Sequence, residues 1–318
     1  MKHWLSASLL CLCATLAQAA GVKFATIPAD ASGPELHAII WTPCADAAQT
    51  LTVGPYLLQG RRDCATVGDA LPLVVISHGH GGTYLGHHDL AETLADAGYV
   101  VAAINHPGDT FADMSRAADA QEFFERPTDI ERLVDYMLGR SADAARIDPA
   151  RIGFFGFSRG GYTGLVLAGG NPDFAHAPVA CTNPAWNICK QIHDESITRR
   201  PLTHDVRIKA YVIADPFDEF PSAATLTDVH APIQLWTSEF GGDGVEPHTG
   251  PALAKLLPAR PELHVVPNAG HFAFLAPCPP ALAQHAPAVC TDAKGFDRAA
   301  FHATLDASAL AFFNAHLR

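Results

Sequence analysis

Short apolar runs alternate along the chain with stretches in which apolar residues recur every three or four positions. The runs predict strands at residues 22–27, 36–41, 73–77, 99–105, 152–157, 208–214, 233–237 and 263–266. The longer period predicts helices at 90–97, 129–138, 159–168 and 252–257. The second of these has Thr128 and Glu131 spaced as a capping box behind Pro127. A final helix over 297–316 carries Phe301, Leu305, Leu310 and Phe313 as a core-facing stripe. Strand–helix alternation of this kind implies a mostly parallel sheet wrapped by crossover helices.

Two segments break the alternation. Residues 40–70 are expected to decorate a sheet edge. Residues 171–206 have no clear period and lie between two core strands, which marks them as a functional loop, here a cap over a pocket. The chain therefore reads as one domain over residues 20–318 with a lid insertion, not as two domains.

Composition narrows the class. The chain has 318 residues, 48% hydrophobic and 17% charged, which suits a globular fold and not a disordered one. The first twenty residues differ: Lys2, an apolar run too short to span a bilayer comfortably, and Ala17-Gln18-Ala19 read as a secretory signal over residues 1–19. A retained anchor is the rival reading. The formal net charge of −12 disfavours nucleic acid or anionic membrane as a partner, since both require a basic surface.

Six cysteines follow the signal: Cys44, Cys64, Cys181, Cys189, Cys278 and Cys290. An even number in an exported chain suggests disulfides. Pairing neighbours (44–64, 181–189, 278–290) closes the shortest loops, although six cysteines permit about 15 pairings. No Cys-x-x-Cys follows the signal to suggest a metal site.

The most informative motif is "GFSRGG" at 156–161, where Ser158 sits between a strand and a helix with Gly156 and Gly160 two residues to either side. Gly-x-Ser-x-Gly in that context is a nucleophile elbow, a turn too tight for side chains at the flanking positions. A serine hydroxyl needs a base, and His271 in "NAGHF" follows the last predicted strand, where a base belongs. The acid that orients it is open: Asp243 in a Gly-rich turn is favoured over Asp215, with Glu239 third. Two backbone N–H groups, of Arg159 and of His80 in "SHGHGG", are expected to form an oxyanion hole. Histidines 78, 80, 87 and 88 also invite a metal reading, but no carboxylate or cysteine set completes it.

The ordered set "SHGHGG", "GFSRGG" and "GHF" resembles the α/β-hydrolase superfamily. More narrowly it is similar to bacterial dienelactone-hydrolase-like proteins related to platelet-activating-factor acetylhydrolases, over about residue 71 to the C-terminus. The resemblance implies an α/β-hydrolase fold with an eight-stranded, mostly parallel sheet, no cofactor or metal, and cleavage of small or lipid-like esters by an exported serine esterase. It matches Ser158 and His271 to nucleophile and base, and His80 and Arg159 to the oxyanion positions. Two departures stand out. Dienelactone hydrolases have cysteine where this chain has Ser158. The acetylhydrolases take their acid from the strand ending here at Asp215, whereas the usual superfamily position falls at Asp243. A prolyl-oligopeptidase-like peptidase is the alternative chemistry, and a non-catalytic hydrolase fold used for binding is the alternative class.

Overall fold

The computed structural model describes residues 19–176, 187–194 and 201–317. The expected signal lies almost wholly outside them. They hold a ten-stranded sheet: β1 (Ala19–Ile27), β2 (Leu36–Cys44), β3 (Gln49–Val53), β4 (Tyr56–Arg62), β5 (Leu71–Ser77), β6 (Val100–Asn105), β7 (Ile147–Phe157), β8 (Ile208–Ala214), β9 (Ile233–Ser238) and β10 (Glu262–Val266). The helices are α1 (His88–Asp96), α2 (Glu122–Gly139), α3 (Arg159–Leu167), α4 (Asn187–His193), α5 (Thr249–Leu256), α6 (Pro280–His285), α7 (Pro287–Cys290) and α8 (Arg298–His316).

The strand order is β10-β9-β8-β7-β5-β6-β2-β1-β4-β3. All neighbours from β6 to β10 run parallel. β5 is buried at every position, as a strand covered on both faces must be. Its side chains divide by the period of two: Leu73 and Val75 pack with Phe123 and Leu165 of α2 and α3, while Val74 and Ile76 pack with Leu90 and Phe313 of α1 and α8. This is the doubly wound arrangement the alternation predicted.

Two differences from the sequence reading have physical causes. The sheet has ten strands and not eight, because residues 49–62 form a hairpin whose second strand adds parallel to β1. Its alternating residues are half exposed, so it lacks the apolar run that marked the inner strands. Helix α2 begins at Glu122, seven residues before the expected start, and Pro127 lies inside it. Proline has no N–H for the carbonyl four residues back, that of Phe123. The buried hydroxyl of Tyr162, on α3, donates to that carbonyl instead (3.3 Å). Thr128 caps nothing and meets Thr203 at 2.7 Å. α8, by contrast, starts where predicted, with the Asp297 carboxylate accepting from the Ala300 N–H.

Disulfides join Cys44 to Cys64 and Cys278 to Cys290, two of the three expected pairs. Cys189 is also disulfide-bonded, and Cys181 lies outside the described residues. Among the described residues, no helix is long and apolar enough to cross a membrane.

Candidate active site

The parallel strands deliver their C-terminal ends to one edge of the sheet, where a crevice forms in open α/β folds. Ser158 follows β7, Asp215 follows β8, and His271 opens a short helical turn after β10. The glycine spacing has a steric explanation. A Cβ on Gly156 would sit 2.2 Å from the Gly160 carbonyl oxygen, and one on Gly160 would sit 2.0 Å from that of Ser77. Only glycine lets α3 leave β7 this sharply. Ser158 itself takes φ 55° and ψ −120°, a backbone strain of the kind found where a side chain is held for chemistry.

Ser158 and His271 line the same cavity, about 300 Å³. The His271 ring stacks near Phe157 (4.6 Å between centroids), and its Nδ1 meets Asp215 Oδ2 at 2.7 Å, with both residues buried. Asp215 is held in turn by the Ser238 hydroxyl (2.7 Å) and backbone N–H (2.8 Å) at the end of β9. The acceptors fix Nδ1 as the protonated nitrogen, so Nε2 carries the lone pair. That Nε2 is buried and makes no hydrogen bond, to Ser158 or to any other described residue.

The acid favoured from sequence is therefore not the one at the imidazole. Asp243 reaches the cavity wall from an exposed turn at φ 48°, without a hydrogen bond to His271. Glu239 accepts from the Asn268 N–H (2.6 Å) and so braces the turn before His271. Asp215, the alternative, ends the strand before the penultimate one; β8 pairs with β7, so its end lies beside Ser158 and within reach of His271.

The loop after β5 packs against the elbow, with a Cβ on Gly79 falling 3.1 Å from Ser158 Cβ. Among the described residues, neither the His80 nor the Arg159 backbone N–H is taken by a hydrogen bond. Asp109, which the sequence reading passed over, ties the two together. Its Oδ1 accepts from the Gly81 N–H (2.8 Å) and faces His80 Nδ1 (3.1 Å); its Oδ2 accepts from Arg159 (2.8 Å) and Arg126 (2.8 Å). Arg126 also donates to the His78 carbonyl. Burial works against the Asp109 carboxylate, but His80 and the two guanidinium groups outweigh it and hold the carboxyl well below its ordinary range. A buried hub of this kind gave no signal in sequence, because a lone Asp in a loop reads as solvated.

The cavity wall is mostly apolar. None of the described residues of 171–206 lines it, and 177–186 and 195–200 lie outside the described residues. Part of the wall comes from Leu282 on α6, Ala286 between the two short helices and Val289 on α7, a segment closed by the Cys278–Cys290 disulfide. Arg298 pins this hairpin to α8 through the Val289 carbonyl (3.0 Å) and the Asp292 carboxylate (2.8 Å).

Beneath the site, His106 bridges Ser77 (2.9 Å) and Asp129 (3.0 Å), all buried. Burial first, and Glu122 second, push the Asp129 carboxyl up to about 8, and burial pushes Glu122 up to about 7. Between the unfolded values of 3.8 for Asp129 and 4.5 for Glu122 and these folded values, the native state keeps protons that the unfolded state releases. Stability from these groups is therefore lost as pH rises. Burial holds His78 down at about 3, so its own contribution changes below 6.5, whereas buried Asp306, pushed up to about 8, adds to the loss at alkaline pH. Raising the pH from 6.5 to 8.5 should cost about 2 kcal/mol through Asp129, a fall of roughly 4 °C in melting temperature. Asp129→Asn should flatten that slope in thermal scans; an unchanged slope would place the titration elsewhere.

Comparison with known proteins agrees with this architecture. A family model described as serine aminopeptidase, S33, matches residues 68–212, a stretch that contains Ser158 but ends before Asp215 and His271. The provisionally assigned esterase NocK of Nocardia uniformis subsp. tsuyamanensis is 27% identical over 174 residues, 54% of this chain and 47% of that protein, so the match spans about half of each. A ferulic acid esterase from Streptomyces cinnamoneus superposes with TM-score 0.64 at 20% identity, covering 96% of this chain and 92% of that one. A provisionally assigned dipeptidyl aminopeptidase IV from Bacteroides ovatus superposes with TM-score 0.55 at 15% identity over 94% of this chain and 36% of that one. The parallel sheet and these likenesses together give the chain the α/β-hydrolase fold.

Proposed function

We propose that the protein is an exported serine hydrolase that cleaves carboxylic esters through an acyl-enzyme. The observation that carries this reading is the His271–Asp215 hydrogen bond, which leaves a lone pair on a buried Nε2 in the cavity that Ser158 also lines. In the reacting complex Ser158 Oγ donates to Nε2; such contacts are commonly loose before substrate binds. Nε2 then takes the hydroxyl proton as Oγ bonds to the ester carbonyl carbon. The carbonyl oxygen becomes an oxyanion facing the His80 and Arg159 N–H groups, and Asp215 stabilises the imidazolium. Collapse expels the alcohol with the proton from Nε2. Water, deprotonated by the same nitrogen, then releases the acid and restores Ser158.

The apolar wall suits an ester with an apolar acyl or alcohol part, and 300 Å³ suits a small one. The disulfides fit an oxidising compartment. A panel of p-nitrophenyl esters run beside aminoacyl p-nitroanilides tests the reading. Turnover of short esters with little amide cleavage is expected; preference for the anilides would make the protein a peptidase instead.

Asp109 gives a second test. Because it fixes the Gly81 N–H and the Arg159 side chain at once, Asp109→Asn should misplace the oxyanion donors. A drop of roughly 100-fold in kcat with KM little changed is expected, by the scale of losing one such donor. Steady-state kinetics on a variant of native circular dichroism would show it, and an unaltered kcat would remove Asp109 from the account.

A further inference from the structure

On the face opposite α2 and α3, Asp89 at the start of α1 meets His302 and Asp306, which lie four residues apart on one side of α8. One ligand atom from each lies within 4.8 Å of the others. We propose that these three residues form a site for a divalent transition-metal cation of the zinc or manganese type, which no part of the proposed ester chemistry requires.

His302 fixes the charge at the cluster. Its Nε2 meets the Ala273 carbonyl at 2.9 Å, and a carbonyl only accepts, so Nε2 bears the hydrogen. The other nitrogen, Nδ1, faces Asp89 Oδ2 at 2.6 Å. In a neutral ring that nitrogen presents a lone pair to a carboxylate, so positive charge must lie between them. A proton there would serve Asp89 alone. Asp306 is 6% exposed, and its Oδ1 is buried with no hydrogen-bond partner among the described residues. One divalent cation would bond all three groups and balance two carboxylates beside a neutral imidazole.

The ligand set has the right chemistry. One imidazole nitrogen with two carboxylate oxygens suits zinc or manganese better than calcium, which favours an all-oxygen shell. Bonds of about 2.0–2.2 Å in a tetrahedral shell set ligand atoms about 3.4 Å apart, so the 2.6 Å Asp89–His302 contact opens as the ion enters. The His302–Ala273 hydrogen bond is the outer contact that typically orients a metal-bound histidine. Asp89, 20% exposed in its side chain, leaves a way in from solvent. An ion here would clamp α1 to α8 and, through Ala273, brace the helical turn that begins at His271.

The test uses the full chain after removal of metals with dipicolinate. One equivalent of Zn²⁺ or Mn²⁺ should bind, by calorimetry and by metal analysis after gel filtration. Saturation should raise the melting temperature by roughly 5 °C, with Mg²⁺ giving no such rise. Asp306→Asn and His302→Gln should each weaken binding at least tenfold and abolish the rise. The proposal fails if no stoichiometric ion binds at 100-fold excess over micromolar protein (about 100 μM), or if binding and the thermal rise persist in both variants, which would mark adventitious surface histidines.

Discussion

Ser158→Ala should keep the wild-type circular dichroism spectrum and lose ester turnover by roughly 10⁴- to 10⁶-fold in kcat. Both halves follow from the same geometry. The backbone at Ser158 has φ 55°, and alanine bears that strain no worse than serine, since both carry a single Cβ. No hydrogen bond within the described residues uses the Ser158 hydroxyl, so its loss leaves no buried partner unsatisfied. The fold survives while the atom that attacks is gone. Residual activity would reflect the oxyanion donors acting on water alone. Retention of turnover within tenfold of wild type would mean that chemistry happens elsewhere.

The second large effect separates two carboxylates. Asp215→Asn should lower kcat/KM by roughly 10³- to 10⁴-fold, while Asp243→Asn should stay within a few-fold of wild type. An amide at 215 can turn its NH₂ toward Nδ1 and force the proton onto Nε2, the tautomer that cannot accept from serine. Ser238 would still donate to the remaining carbonyl oxygen, so the side chain stays in place and the loss is electronic. Asp243, exposed on the cavity wall, makes no hydrogen bond to the imidazole. The reverse pattern in an ester assay would restore Asp243 as the acid and reduce the Asp215 contact to a structural one.

What the sequence made legible was local. The elbow could be read because glycine at 156 answers a clash within five residues of chain, although the one at 160 answers a clash with Ser77, and the inner strands because burial on both faces leaves an unbroken apolar run. The acid could not be read this way. Asp215 and Asp243 each follow a strand, and only the spatial order of β7, β8 and β9 with the reach of His271 separates them. The part of the cavity wall at 278–290 was illegible for a related reason. Residues 171–206 attract notice by lacking a period, whereas residues 278–290 look like an unremarkable Pro- and Ala-rich stretch until the disulfide folds them over the cavity. Pro127 misled by a general rule: proline starts helices more often than it sits inside them, but here Tyr162 meets the carbonyl left without a donor. Asp109 and the Asp89–His302–Asp306 cluster were both invisible, since each is assembled from distant segments and the histidines near "SHGHGG" drew attention first.

The central claim is that Ser158 is the nucleophile. Its most direct test is to treat the protein with a fluorophosphonate and map the adduct by mass spectrometry. Trypsin cuts after Arg151 and Arg159, releasing residues 152–159, "IGFFGFSR", in which Ser158 is the sole hydroxyl. One phosphonyl group on that peptide, absent in His271→Ala, is the result expected. An unmodified peptide, or an adduct on any other serine, would contradict the account.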